Sequence, residues 1–204
     1  MSGTLPATDV IEFETGRLRL RQWRPADRVP FARLNAGARV MEFFPAPLDR
    51  AASDALADRL ESQIAERGWG FWAVDVLGGD DFIGCVGLHV PVPDIPCSPC
   101  VDVGWRLAFE HWSRGYATEA ARGALQVGFE RLDLSEIVSF TALQNRRSRA
   151  VMERLHMRDT GETFEHPNVP VGNPLRAHRL YRLSRERWQR DGDRPVLRWI
   201  DGNR

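Results

Sequence analysis

The sequence predicts one α/β domain in which helices flank a central, twisted mixed sheet. Three observations point there. The apolar pattern switches along the chain between the period of a strand and that of a helix, and glycine or proline punctuates the switches. After an antiparallel run, the second half reads strand, helix, strand, helix, strand, an order that lays helices against a sheet with parallel neighbours. With 204 residues, 43% of them hydrophobic, the chain is long enough to bury a core of its own. A single domain over residues 1–204 is expected, with its core at about 15–185 and a loose, Arg-rich tail at 190–204.

The elements follow in order. "RLRLRQW" (Arg17–Trp23) alternates Leu18 and Leu20 with arginines, as a half-buried strand does. Pro25 suits the first turn of a helix that ends near Asn35, and Asp27 complements its dipole. From Asp49 to Arg67, Ala52, Leu56, Leu60 and Ile64 fall at near-helical spacing, and Gly68 stops the run. "WGFWAVDVLGGDDFIGCVGLHV" reads as a hairpin turning at Gly78-Gly79. A strand over Val101–Phe109, a helix over Thr118–Leu132, a strand over Glu136–Thr141, a helix over Ser148–Leu155 and a strand over Leu175–Leu183 complete the chain.

Composition excludes several function classes. The 28 basic and 28 acidic residues cancel, so no global field draws the chain to nucleic acid or anionic lipid, and neither partner is expected. Every basic residue is arginine, which removes any chemistry that needs a lysine, such as a P-loop or a Schiff base. No apolar run reaches the length of a membrane span, and residues 1–15 lack the pattern of a signal peptide, so a cytoplasmic protein is expected. Cys97 and Cys100 form one CxxC in "PCSPC", but without a second ligand pair it reads as a stiff loop, and no metal is expected.

The stretch "VDVGWRLAFEHWSRGYATEAARGALQVGFE" (Val101–Glu130) carries the chemistry. A helix N-terminus offers unpaired amides and a partial positive charge, and a glycine before it lets a phosphate approach the backbone. Arg114-Gly115-Tyr116-Ala117-Thr118 supplies that turn, and Ala117, Ala121, Ala124 and Gly128 form a small-residue stripe that lets the helix lie close to the sheet. One glycine is not GxGxxG, so the turn reads as an anion cradle other than the dinucleotide fold.

Together with "RLRLRQWRPAD" upstream and "TALQNRRSRAVMERLHM" downstream, these residues resemble the GNAT acyltransferase superfamily in its RimJ/RimL-like branch. The family signature [QR]-x-x-G-x-[GA] falls on Trp112-Ser113-Arg114-Gly115-Tyr116-Ala117, with Trp112 departing from the first position. The resemblance implies acetyl-CoA, lying in a V between strands ending at Phe109 and Thr141. Backbone groups of Leu107, Ala108 and Phe109 would pair with the pantetheine, and amides of Ser113–Thr118, Trp112 among their neighbours, would hold the pyrophosphate. Asn145 and Ser148 would sit near the thioester. Arg146, Arg147 and Arg149 read either as reaching the cofactor's 3′-phosphate or as a solvated helix face.

Proton handling departs from many relatives, in which a tyrosine acts as general acid four residues past Ser148; Met152 stands there. Ser148 is the nearest substitute, and reads equally as a cap of its helix. Asp102 is the expected base, with an ion pair to Arg106 as its alternative and His89 on the neighbouring strand as a second candidate. Met41, Phe43, Phe44, Trp69 and Trp72 read as either acceptor walls or core, with His166 and His178 on the far side. The expected activity is acetyl transfer to a primary amine of a peptide or protein N-terminus. A small drug-like, polyamine or aromatic amine and a non-catalytic acyl-CoA-binding module are the alternatives, and a homodimer is left open.

Overall fold

The computed structural model describes residues 9–191 and 194–200. In chain order its elements are β1 (Glu12–Glu14), β2 (Leu18–Arg21), α1 (Arg28–Ala36), α2 (Arg50–Arg67), β3 (Phe71–Val76), β4 (Gly84–His89), β5 (Asp102–Leu107), α3 (Tyr116–Gln126), β6 (Glu136–Ala142), α4 (Arg146–Arg154), β7 (Arg158–Glu165), β8 (Ala177–Ser184), α5 (Arg185–Asp191) and β9 (Arg198–Ile200). The strands form one sheet in the order β7-β8-β6-β5-β4-β3-β2-β1-β9. Its described pairs are antiparallel except β5 with β6, so the sheet is mixed, as the alternating pattern predicts.

Each half-buried strand divides its side chains between two layers. Leu18 and Leu20 of β2, Val74 of β3 and Leu88 of β4 are fully or almost fully buried on the face that α3 covers. Gly128, in the π turn Val127–Arg131 that continues α3, is required there: a Cβ would stand 2.6 Å from Ile137 Cδ1 and 3.2 Å from Leu88 Cδ1. Trp72 lies on this face against Phe13, 0% exposed with its indole N–H on the Ile11 carbonyl. It is core, and so is Met41 at 4%, which decides both residues for the core reading over the acceptor walls.

The opposite face carries Phe71, Asp75, His89, Asp102, Gly104 and Arg106, partly covered by α1 and α2. Arg21 belongs here. Its guanidinium is buried between Asp27 (2.7 Å) and Asp75 (2.6 Å), so this arginine of the alternating strand is not solvated. Asp49 caps α2 through the Ala52 amide (2.8 Å), and Gly68 closes it in a left-handed turn. The buried residues of α2 are Ser53, Ala57, Leu60 and Ile64, one position later in its first turns than the expected Ala52 and Leu56. A polar contact rotates it: Asn35 Nδ2 donates to Ser53 Oγ at 2.9 Å.

Three expectations change at the ends. β5 stops at Leu107 because a 3₁₀ turn, Phe109–His111, follows. β7 was not expected because "RDTGETFE" offers no apolar alternation; it is a mostly exposed edge strand held by β8. The tail is not loose over its described part: α5 runs to Asp191, and β9 pairs with β1, setting Trp199 against Phe13. Residues 192–193 and 201–204 lie outside the described residues. No helix of the described residues is long and apolar enough to cross a membrane.

Candidate active site

β5 and β6 share one registered pair, Asp102 with Val138, and then diverge. At the closed end the Val138 amide donates to the Val101 carbonyl (2.9 Å) and Ser139 Oγ to the Val103 carbonyl (2.9 Å). Which groups face the gap follows from the other edge of β5. Gly84 opposes Leu107, and the Ala108 amide donates to the Ile83 carbonyl at 2.9 Å, so alternation turns the backbone of Trp105 and Leu107 toward the gap. Of the expected trio only Leu107 faces the opening, and its carbonyl already accepts from Trp112 Nε1 at 2.8 Å. Ala108 is paired with Ile83, and the carbonyls of Ala108 and Phe109 close the turn onto the His111 and Trp112 amides. Trp105 is not among the expected cofactor residues, because strand alternation gives the parity and only the β4–β5 register tells which parity faces the gap.

Beyond Leu107 the chain turns into α3 at the expected cradle. Ser113 (φ 60) and Gly115 (φ 81) both adopt left-handed backbone, and α3 starts at Tyr116. Its first helical bond runs from the Glu119 amide to the Gly115 carbonyl at 3.0 Å, which leaves the amides of Tyr116, Ala117 and Thr118 without helical acceptors. The turn is braced by residues far away in sequence. The Glu119 carboxylate accepts from Thr15 Oγ1 (2.6 Å), the Arg17 amide (2.8 Å) and Arg17 Nε (2.6 Å), while Arg17 Nη1 donates to the Arg114 carbonyl (3.0 Å). Beside Gly115 and Thr118 opens a groove of about 630 Å³ lined by Arg17, Arg122, Arg154, Arg194 and His156. The arginines at the start of α4, which read in sequence either as a phosphate contact or as a solvated face, lie elsewhere. There Arg147 pairs with Glu42 and lies between the rings of Phe43 (5.4 Å) and Trp112 (5.0 Å), and Arg149 donates to Tyr181 Oη at 3.2 Å.

Asn145, not Ser148, caps α4. Its Oδ1 accepts from the Ser148 amide at 3.1 Å, and its Nδ2 donates to Thr141 Oγ1 at 3.0 Å. The Ser148 hydroxyl has no protein partner among the described residues, while Met152 is 1% exposed and belongs to the core.

Across the sheet from the cradle, on the opposite face, His89 and Asp102 are direct cross-strand neighbours, with His89 Nδ1 3.0 Å from Asp102 Oδ1. Burial raises the Asp102 pKa, and the bond to His89 opposes the shift. Phe71 packs 6.1 Å from the His89 ring and fills the space over Gly104. The two candidate bases are thus one unit. The alternative ion pair between Asp102 and Arg106 is not formed, because four residues of strand separate their Cα atoms by about 13 Å. Arg106 instead donates through Nη1 to Asn35 Oδ1 (2.7 Å) and lies 4.2 Å from the Phe44 ring centroid. Of the other expected acceptor residues, Phe43 packs on Arg147, Trp69 sits partly buried beside Arg67, and His166 joins His178, Phe140 and Phe164 in a separate aromatic cluster.

Residues 17–158 match the family described as the acetyltransferase (GNAT) domain. The chain belongs to the GNAT acetyltransferase family. Members of this family use acetyl-CoA as donor and transfer its acetyl group to an acceptor. This GNAT chain is 32% identical over 127 residues to FsC-acetyl coenzyme A-N(2)-transacetylase of Aspergillus fumigatus; the match takes in 60% of the chain and 53% of that protein, so the chain spans about half the relative's length. Among solved structures it resembles a GNAT acetyltransferase of Bacillus anthracis (TM-score 0.72, 22% identity, 86% of this chain and 99% of that one). It also resembles Mycobacterium smegmatis RimJ in complex with CoA-disulfide (TM-score 0.63, 18% identity, 93% and 95%). These two likenesses establish the GNAT fold, in which the gap between β5 and β6 and the turn at Gly115 occupy one end of the sheet.

Proposed function

We propose that this chain is an N-acetyltransferase that moves the acetyl group of acetyl-CoA to a primary amine, with His89 and Asp102 handling the amine's proton. The His89–Asp102 pair carries the reading. A carboxylate on Nδ1 holds the imidazole in the tautomer whose Nε2 lone pair is free, which is what a general base needs. His89 is also the more open of the two, 32% exposed against 13% for Asp102. His89 therefore takes the proton, directly or through one water, and Asp102 positions it, a division of labour that differs from Asp102 acting alone.

The residues present fit the donor. Acetyl-CoA supplies an activated thioester and a thiolate leaving group. The backbone of Trp105 and Leu107 offers its amide-bearing arm a strand edge, and the bare amides of Tyr116–Thr118 fit its pyrophosphate. The arginines of the adjoining groove suit the 3′-phosphate. Ser148, its amide held by Asn145 and its hydroxyl without a protein partner among the described residues, is the group that would return a proton to the departing sulfur. Fixed placement of amine and thioester supplies the remaining rate enhancement. An N-terminal amine of a peptide is the acceptor class that the RimJ/RimL-like motif supports, and a small amine is the second reading, the relative's name specifying only transacetylation at an N(2) position.

Release of free thiol from acetyl-CoA in the presence of amines tests transfer, and a non-catalytic CoA-binding module would release none. His89→Ala and Asp102→Asn are each expected to lower turnover by about 10²–10⁴ while leaving acetyl-CoA affinity unchanged. Full turnover in His89→Ala would remove it as the base.

A further inference from the structure

On the same face of the sheet Arg21 is buried and Arg106 half-buried, and their surroundings differ. Arg21 is held by two carboxylates, Asp27 and Asp75, each at 2.6–2.8 Å through paired donors. Arg106 has none within ion-pair distance among the described residues. Its neighbours are the neutral Asn35 amide, the Phe44 ring and, directly across from it on β4, Cys85, whose thiol burial pushes up to about 11 and so keeps neutral. Withdrawing a cation from water even in part, without a counter-charge, is costly, and this desolvation drives the guanidinium's pKa below its ordinary value. Arg106 commits Nη1 to Asn35, and Asn35 is itself fixed by Ser53, so the guanidinium is held in one orientation with other N–H donors to spare.

Its position suggests what those donors are for. Arg106 follows Trp105, whose backbone faces the gap, and shares its face of β5 with Asp102 and its partner His89. Two acidic groups, Glu42 and Asp102, are already committed, to Arg147 and to His89, which weakens their pull on a polycation. We propose that the acceptor amine carries a carboxylate and that Arg106 receives it through its planar fork, completing the counter-charge that the protein omits. Arg106 is thus a specificity residue for an anionic amine, either an amino acid with a free carboxylate or a peptide end with an acidic side chain. The inference rests on the acetyltransferase reading and narrows its acceptor.

The test uses matched pairs of acceptors that differ in charge alone: phenylalanine against its methyl ester and amide, and peptides beginning Asp or Glu against Asn or Gln. With wild-type protein, thiol release should show kcat/KM at least tenfold higher for the charged member of the amino-acid pair or of the peptide pair, and which pair responds identifies the source of the carboxylate. Arg106→Gln should erase that preference through KM while acetyl-CoA affinity and turnover of the uncharged twin stay within about twofold. Arg106→Lys, which keeps the charge without the fork, should retain part of it and guards against a folding defect in the first variant, as does a melting curve for each. Equal kcat/KM within both pairs, or a preference that survives Arg106→Gln, overturns the proposal. If no amine releases thiol, the transfer reading fails separately, and the carboxylate site is read by melting-temperature protection from phenylalanine against its amide. Protection of wild type that Arg106→Gln loses supports the site, and equal effects of the two ligands refute it.

Discussion

At the scale of single residues, the half-buried His166 and the buried Asp102 set opposing pH dependences. His166 is held neutral down to about 4 by burial and by the neighbouring His178 and Arg176, whereas an unfolded imidazole titrates near 6.5. Below 6.5 the unfolded chain binds a proton that the folded one refuses, so stability is lost as pH falls from 6.5 toward 4. His166→Phe should flatten that slope in urea midpoints measured against pH; an unchanged slope would mean that His166 is not desolvated. Asp102 has the opposite sign. Its pKa is raised above 3.8 by burial, so the folded chain holds its proton longer and stability falls as pH rises through that window. Asp102→Asn should therefore lose the descending limb just above pH 3.8, apart from its effect on rate. Asp102 and His89 were both legible as candidates from residue type. That they form one dyad depends on β4–β5 register, which places His89 opposite Asp102.

At the scale of elements, the turn into α3 is the most legible feature, because a glycine before a small-residue helix has few other uses. Gly115 sits at φ 81, where any other residue costs about 1–2 kcal/mol, and a Cβ there would stand 3.4 Å from Arg17 Nη2. Gly115→Val is expected to weaken acetyl-CoA at least tenfold in calorimetry while circular dichroism shows a folded chain; equal affinity would sink the cradle. The brace by Glu119 and Arg17 was not legible. Glu119 reads in sequence as an ordinary acid in a first helical turn, and its partners lie 102 and 104 residues away. Likewise the three arginines at the start of α4 look like a phosphate site, yet Arg147 is engaged by Glu42 and two aromatic rings.

At the scale of the whole molecule, the chain's end returns to its beginning. β9 pairs with β1, and Trp199 lies 5.9 Å from Phe13 and 4.3 Å from the Arg131 guanidinium. Ending the chain after Asp191 would uncover the β1 edge and expose that face of Phe13. Losing such a contact costs about 2 kcal/mol, or roughly 4–8 °C in melting temperature for a chain of this size. A truncated chain that melts with the full one would show that the strand contributes nothing.

The sequence by itself determined the fold class, the order of the central elements and the turn at Gly115, because these depend on local periods and on one glycine whose backbone preference is intrinsic. It also excluded lysine chemistry outright, since composition needs no geometry. Tertiary structure alone decided which backbone groups face the gap, that Asn145 rather than Ser148 caps α4, and that Trp72 and Met41 are core while Phe44 meets Arg106. It also decided that Arg21 has two carboxylates and Arg106 has none among the described residues. Those outcomes rest on strand register and on which helix covers which face, and both are fixed by contacts between residues far apart in the chain, which no local pattern encodes.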